Sequence, residues 1–113
     1  MQFLDYGSLV RVQDAAAATG DGLEVSVTNY GGVAVEISGT FSGTVTFEAS
    51  GNGDAWFAVS GTNRTSGTAA NTATAPGLYV VKIPGCHRFR ARVSAYTSGN
   101  ITVDATPFPI FAI

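Results

Sequence analysis

The sequence has little of what usually assigns a function. Of its 113 residues only 12% are charged, six Lys or Arg against eight Asp or Glu, for a net charge of −2. That is about half the ~25% of an ordinary soluble domain. Nucleic-acid binding through a broad basic field is excluded. A disordered acidic tail is excluded too, because 45% of the residues are hydrophobic. The single cysteine, Cys86, allows no internal disulfide. The single histidine, His87, stands beside it with no spaced partners, so the three or four ligands of a zinc site are missing. Purely apolar runs such as 55–59 are short, far from the ~20 residues of a membrane helix. No basic-then-apolar segment opens the chain, so neither membrane insertion nor export is expected. Phosphate-loop and Gly-rich nucleotide fingerprints are also lacking.

What is present is hydroxyl, glycine and a period of two. Thirteen Thr, nine Ser and 14 Gly make a surface solvated by hydroxyls and backbone instead of charge. A chain this neutral tends to associate. Val33, Val35 and Ile37 alternate with Ala34, Glu36 and Ser38; Val45, Phe47 and Ala49 with Thr44, Thr46 and Glu48. Phe89, Ala91, Val93 and Ala95 alternate with Arg88, Arg90, Arg92 and Ser94, and shorter alternations fall at 23–28 and 101–105. Alternation at this period gives each strand one buried and one wet face. With candidates at 9–13, 56–59 and 79–83, about eight strands are expected. Between them stand turn residues: Asp21-Gly22, Asn29-Tyr30-Gly31-Gly32, Ser42-Gly43, Pro84-Gly85 and Ser98-Gly99-Asn100. The fold class predicted is all-β: an antiparallel, jelly-roll-like sandwich forming one domain over residues 1–113. Only Asp14 before Ala15–Ala18 offers a helical turn, and a loop serves as well.

Three stretches break the pattern. Gly61–Gly77 carries one charge, Arg64, and reads as a mobile loop or a folded contact arm. Both ends are apolar, 1–8 at the N-terminus and 106–113 at the C-terminus. Each end either closes over its own core or docks on a neighbour. The contact residues expected from these stretches are Phe3, Leu4, Tyr6, Arg64, Phe108, Ile110, Phe111 and Ile113, joined by the stripe Arg88, Arg90 and Arg92.

Catalytic chemistry finds little footing. Cys86 and His87 are adjacent, and neighbours in a strand point to opposite faces. Glu24, Glu36, Glu48 and Asp104 are expected on wet faces, paired with the arginine stripe across strands; a hydrolase would need two of the glutamates across one cleft. Ser50-Gly51-Asn52-Gly53-Asp54 has alternate oxygen donors but reads as a hairpin, not a calcium loop. Trp56 is expected in a core or interface, or, with Tyr30, Tyr79 and Tyr96, exposed for stacking on sugar rings. No catalytic residue, metal or cofactor is expected.

The stretch 43–56, GTVTFEASGNGDAW, followed by 84–103, PGCHRFRARVSAYTSGNITV, resembles small β-sandwich virion proteins of tailed bacteriophages. The likeness covers residues 41–105, with Asn52-Gly53-Asp54-Ala55 departing from the acid-Gly turn expected before the tryptophan. It implies a capsid decoration or cement subunit, made in the bacterial cytoplasm and carried on the virion. Its partners would be the major capsid protein and copies of itself, with a trimer at capsid threefold positions one arrangement that fits, and no nucleic acid and no membrane. A tail or baseplate component is the neighbouring reading. The short chain beginning at Met1 favours a free-standing decoration protein.

Overall fold

The computed structural model describes residues 7–109. Eleven strands run in chain order: β1 Val10–Ala16, β2 Val25–Ser26, β3 Gly32–Ser38, β4 Phe41–Ser50, β5 Phe57–Ala58, β6 Gly61–Asn63, β7 Ala69–Ala70, β8 Thr72–Ala73, β9 Gly77–Lys82, β10 Arg88–Gly99 and β11 Ile101–Phe108. They form two sheets. Sheet A has the order β1-β11-β3-β9-β6-β7; sheet B has the order β2-β10-β4-β5, with β8 also on β4. All pairings between these strands are antiparallel.

The topology is a rolled ribbon. β1 pairs β11, β2 pairs β10, β3 pairs β9 and β4 pairs β8, so early strands meet late ones in nested order. The ribbon then wraps so that β3 also meets β11 and β4 also meets β10. This is the jelly-roll arrangement that the sequence pattern predicts. Inner-face residues of both sheets form one core. Val33, Val35, Val45, Phe47, Val81, Phe89, Ala91, Val93, Ile101 and Val103 are wholly buried. The alternation read along β3, β4, β10 and β11 therefore assigns those inner faces correctly except at Ala95, which is exposed past the register shift after Val93.

Several expectations are corrected. Residues 15–18 form no helical turn; β1 runs through Ala16, and its bulges carry Ala15 at a φ of 50°. Of 23–27 only Val25–Ser26 pairs, and Leu23 is 59% exposed. Gly61–Gly77 is not a structureless loop: β6 and β7 form a hairpin on sheet A, and β8 crosses to β4 of sheet B. Of the two readings for the C-terminal end, 106–108 takes the one in which it closes on its own domain, as part of β11. Thr106, Pro107 and Phe108 pair with Ala34, Val33 and Gly32. Gly7 donates its N–H to the Pro107 carbonyl at 2.8 Å.

One buried polar residue closes the sandwich. β2 covers β10 only at Arg88 and Phe89. Beyond it, Gln13 of β1 reaches across from sheet A, its Nε2 donating to the Ala91 carbonyl at 3.0 Å and to the Gly20 carbonyl at 3.1 Å. Gly20 then exchanges two backbone hydrogen bonds with Val93. An edge that would otherwise template aggregation is thereby occupied. Replacing Gln13 by leucine strands the Ala91 carbonyl, and chemical denaturation should show a loss of roughly 1–3 kcal/mol.

Candidate functional site

The sequence-predicted contact residues that are described, Arg64, Arg88, Arg90, Arg92 and Phe108, fall on two opposite outer faces. On sheet B, Arg88, Arg90 and Arg92 stand in register with Ser50, Glu48 and Thr46 of β4. Glu48, expected on a wet face, is only 8% exposed. Its two carboxylate oxygens accept from Arg90 Nε at 2.7 Å and Arg92 Nε at 3.2 Å. The Arg90 guanidinium lies 4.2 Å from the Trp56 ring centroid and 3.4 Å from Asp21. Trp56 is half-buried in this way, on the outer face. The turn before it folds over Ser50, whose Oγ accepts the Gly53 N–H at 2.8 Å. Asn52 Oδ1 accepts from the N–H groups of Asp54 and Ala55. Two of the three oxygens that suggested calcium, Ser50 Oγ and Asn52 Oδ1, are thus turned onto backbone amides, and among the described residues no group of three His, Cys, Asp or Glu gathers. Arg90 and Arg92 of the stripe are thus braced by Glu48, while Arg88 has no ion-pair partner among the described residues.

On sheet A the outer face is different. Ala34 of β3 lies between Thr106 of β11 and Val80 of β9 in register. Around this small side chain is a shallow depression of about 320 Å³, lined by Ala34, Arg64, Leu78, Val80, Thr106 and Phe108. Two predicted contact residues from distant stretches, Arg64 and Phe108, meet here. Arg64 is fixed beside the wall because its N–H donates to the Leu78 carbonyl at 2.9 Å. Among the described residues it has no ion-pair partner. Leu78 remains 45% exposed. Sequence reasoning missed Ala34, Leu78 and Val80. The available signal was the run Leu78-Tyr79-Val80-Val81, apolar at both parities, which marks a strand with two apolar faces. Further along this face Asp104 stands in register with Glu36 and with Arg11. Arg11 Nε donates to Asp104 Oδ1 at 2.9 Å; that hydrogen bond and the Asp104 charge raise the already high pKa of the guanidinium.

The remaining candidates separate. His87 turns to Thr28, Nδ1 to Oγ1 at 2.7 Å, while half-buried Cys86 packs on the core. Glu36 and Glu48 project from different sheets and so cannot flank one bond. None of the four rings considered for sugar stacking is exposed: Tyr79 is 7% exposed, and Tyr30, Trp56 and Tyr96 are half-buried. Phe3, Leu4, Tyr6, Ile110, Phe111 and Ile113 lie outside the described residues.

The family whose pattern matches this chain is XepA, over residues 8–106. The chain belongs to the XepA family. Two solved structures share the fold. The SPBc2 prophage-derived protein YomS superposes with a TM-score of 0.85 at 24% identity, over 95% of this chain and 96% of that one. The PBSX exported protein XepA gives a TM-score of 0.88 at 16% identity, over 95% of this chain and 39% of its own. The XepA-family chain therefore spans the whole length of YomS and about two fifths of XepA. No curated protein sequence gives a significant match. The two neighbours, both under 25% identical, establish the shared fold, and the family match establishes membership; the capsid decoration type expected from the sequence is a finer statement than either makes.

Proposed function

We propose that this XepA-family chain is a structural protein of the phage particle, working by protein–protein contact as a decoration or cement subunit on the capsid lattice. The observation that carries the reading is the outer face of sheet A. Beside the charged row of Arg11, Asp104 and Glu36 it holds an apolar depression at Ala34, Leu78, Val80 and Phe108, with Leu78 open to water. The test is direct. Mass spectrometry of purified particles of the encoding phage is expected to find the chain, and the purified chain is expected to bind empty capsids. Absence from particles together with no capsid binding would end this reading.

A second reading is favoured by one observation, the description of the neighbour XepA as an exported protein. In that case the chain acts outside the cytoplasm without being part of the particle. It would then be found in the soluble fraction after lysis and not in purified virions.

If contact through sheet A is what matters, Leu78→Glu should lower capsid binding about tenfold or more. Because the side chain is already 45% exposed, the fold should be kept within about 0.5 kcal/mol. Circular dichroism and denaturation check the second half of that statement.

A further inference from the structure

At the end of β4 stands Ser50, 1% exposed and the only buried Ser or Thr among the described residues. Its Oγ accepts the Gly53 N–H at 2.8 Å and the Asn52 N–H at 3.3 Å, and its hydroxyl donates to Asn52 Oδ1 at 3.2 Å. The same Oδ1 accepts from the N–H groups of Asp54 at 2.8 Å and Ala55 at 3.0 Å. The Asn52 side chain is thus held by three donors, while the Gly53 amide is anchored on Ser50. Asn52-Gly53 is also the only Asn-Gly pair in the sequence, a pair with a reaction of its own. The Gly nitrogen gives up its proton and attacks the Asn side-chain carbonyl carbon. An N–C bond closes a succinimide ring as the C–NH2 bond breaks, and the amide nitrogen takes up the proton and leaves as ammonia. Water then adds to either ring carbonyl and leaves aspartate or isoaspartate, a net exchange of NH2 for OH. Glycine permits the attack because no Cβ hinders it, and asparagine counts among the thermolabile residues.

We propose that Ser50 locks this turn against succinimide formation, so that Asn52 is a deamidation site released only when the turn opens. Ring closure requires the Gly53 nitrogen and the Asn52 carbonyl carbon to meet in a near-attack pose. The nitrogen is tethered through its hydrogen to Ser50 Oγ, and the carbonyl through Oδ1 to Asp54 and Ala55. Reaching the pose means giving up these hydrogen bonds, and each one lowers the reactive population by about two- to tenfold. Ser50 pairs in register with Arg88 of β10, so the sheet fixes its hydroxyl, whereas Asn52 and Asp54 are exposed. An effect of opposite sign is physically available: donors gathered on Oδ1 would stabilise the charge that develops on an attacked carbonyl. The tether outweighs it, because a polarised carbonyl gains nothing while its nucleophile is still bonded to Ser50. Reaction at Asn52 would place a new carboxylate next to Asp54 or, as isoaspartate, lengthen the backbone between β4 and β5. The proposal concerns the chemical lifetime of the chain and does not rest on its reading as a particle protein.

The test uses the full chain. Wild type and Ser50→Ala are incubated in mildly alkaline buffer, folded and in urea, then digested. Mass spectrometry follows the peptide carrying Asn52, and an isoaspartyl methyltransferase assay follows the second product. Asn29 and Asn71, followed by Tyr30 and Thr72, serve as clocks in the same digest. Folded wild type is expected to react at Asn52 about tenfold or more slowly than the unfolded chain, a comparison that needs no variant. Folded Ser50→Ala is expected to react at Asn52 about three- to tenfold faster than folded wild type, with both clocks unchanged. In urea the two proteins should react alike. Folded wild type reacting as fast as the unfolded chain would overturn the proposal. So would an Asn52 rate that Ser50→Ala leaves unchanged or lowers, the latter showing that the donors on Oδ1 promote attack. An equal rise at all three asparagines would overturn it too, because Ser50 would then act through global stability alone.

Discussion

Replacing Phe47 by alanine should destabilise the isolated chain by about 3–5 kcal/mol, the cost of removing a fully buried aromatic ring from a well-packed core. The side chain is 0% exposed in the middle of β4. Its ring centroid is 5.5 Å from that of Tyr79, the planes inclined at 50°. This contact joins the two sheets, because Phe47 belongs to sheet B and Tyr79 to β9 of sheet A. A third participant is Gly61 of β6. A Cβ placed there would come within 2.7 Å of the Phe47 ring, so the absence of a side chain is what admits the aromatic edge. Gly61→Ala should therefore also destabilise, by about 1–3 kcal/mol from overpacking. The double variant should lose less than the sum, since the added methyl group enters space that the ring has left. Urea titrations with unchanged slopes would establish this. A Phe47→Ala loss under about 1.5 kcal/mol would show that the sheets can close over the vacancy.

Replacing Glu48 by alanine should cost about 2–4 kcal/mol, although its ion pairs face outward from sheet B. The carboxylate is held by Arg90 and Arg92, and the Arg90 side chain is only 15% exposed. Without Glu48, Arg90 keeps one acidic partner, Asp21, 3.4 Å away and 61% exposed. Removing Asp21 instead should cost under about 1 kcal/mol, as is usual for an exposed pair screened by water. The difference between the two variants measures what burial beneath Trp56 and the 51–55 turn contributes. Glu48→Gln should fall between them, since the amide oxygen can still accept one guanidinium hydrogen bond. Equal losses for Glu48→Ala and Asp21→Ala would show that Glu48 is solvated as well as Asp21 despite its position.

The strands were legible wherever local alternation and long pairing agree. In β3, β4, β10 and β11 the period of two identifies both the strand and its inner face, because each is long and flanked on both sides. The reading fails where structure is imposed from elsewhere. β6, β7 and β8 are two or three residues long, and polar segments this short are held by neighbours that composition cannot indicate. Ser50 and Glu48 sit on the outer parity yet are buried, Ser50 because the Asn52-Gly53-Asp54 turn curls back over it and Glu48 because Arg90 and Arg92 close on its carboxylate. The site shows the same division. Arg64 and Phe108 were identifiable as unusual residues, one a lone charge and the other part of an apolar end. That they share a hollow depends on β9 standing between β3 and β6, a fact of topology. Ala34 carries no signal of its own: its importance is its smallness beside Thr106 and Val80.

The rolled ribbon also has a consequence for synthesis. β11 is the last of the described strands to be made, yet it lies inside sheet A between β1 and β3. While the ribosome still holds it, both of those strands present unpaired edges, and the inner faces around Val35 and Ile37 lack the Ile101, Val103 and Ala105 side chains that complete the core. Contacts so distant in sequence form slowly, and open edges in unfinished chains invite pairing with other copies. Sheet A is therefore completed only after translation has passed Phe108. The interval before that point is when this protein is most exposed to aggregation.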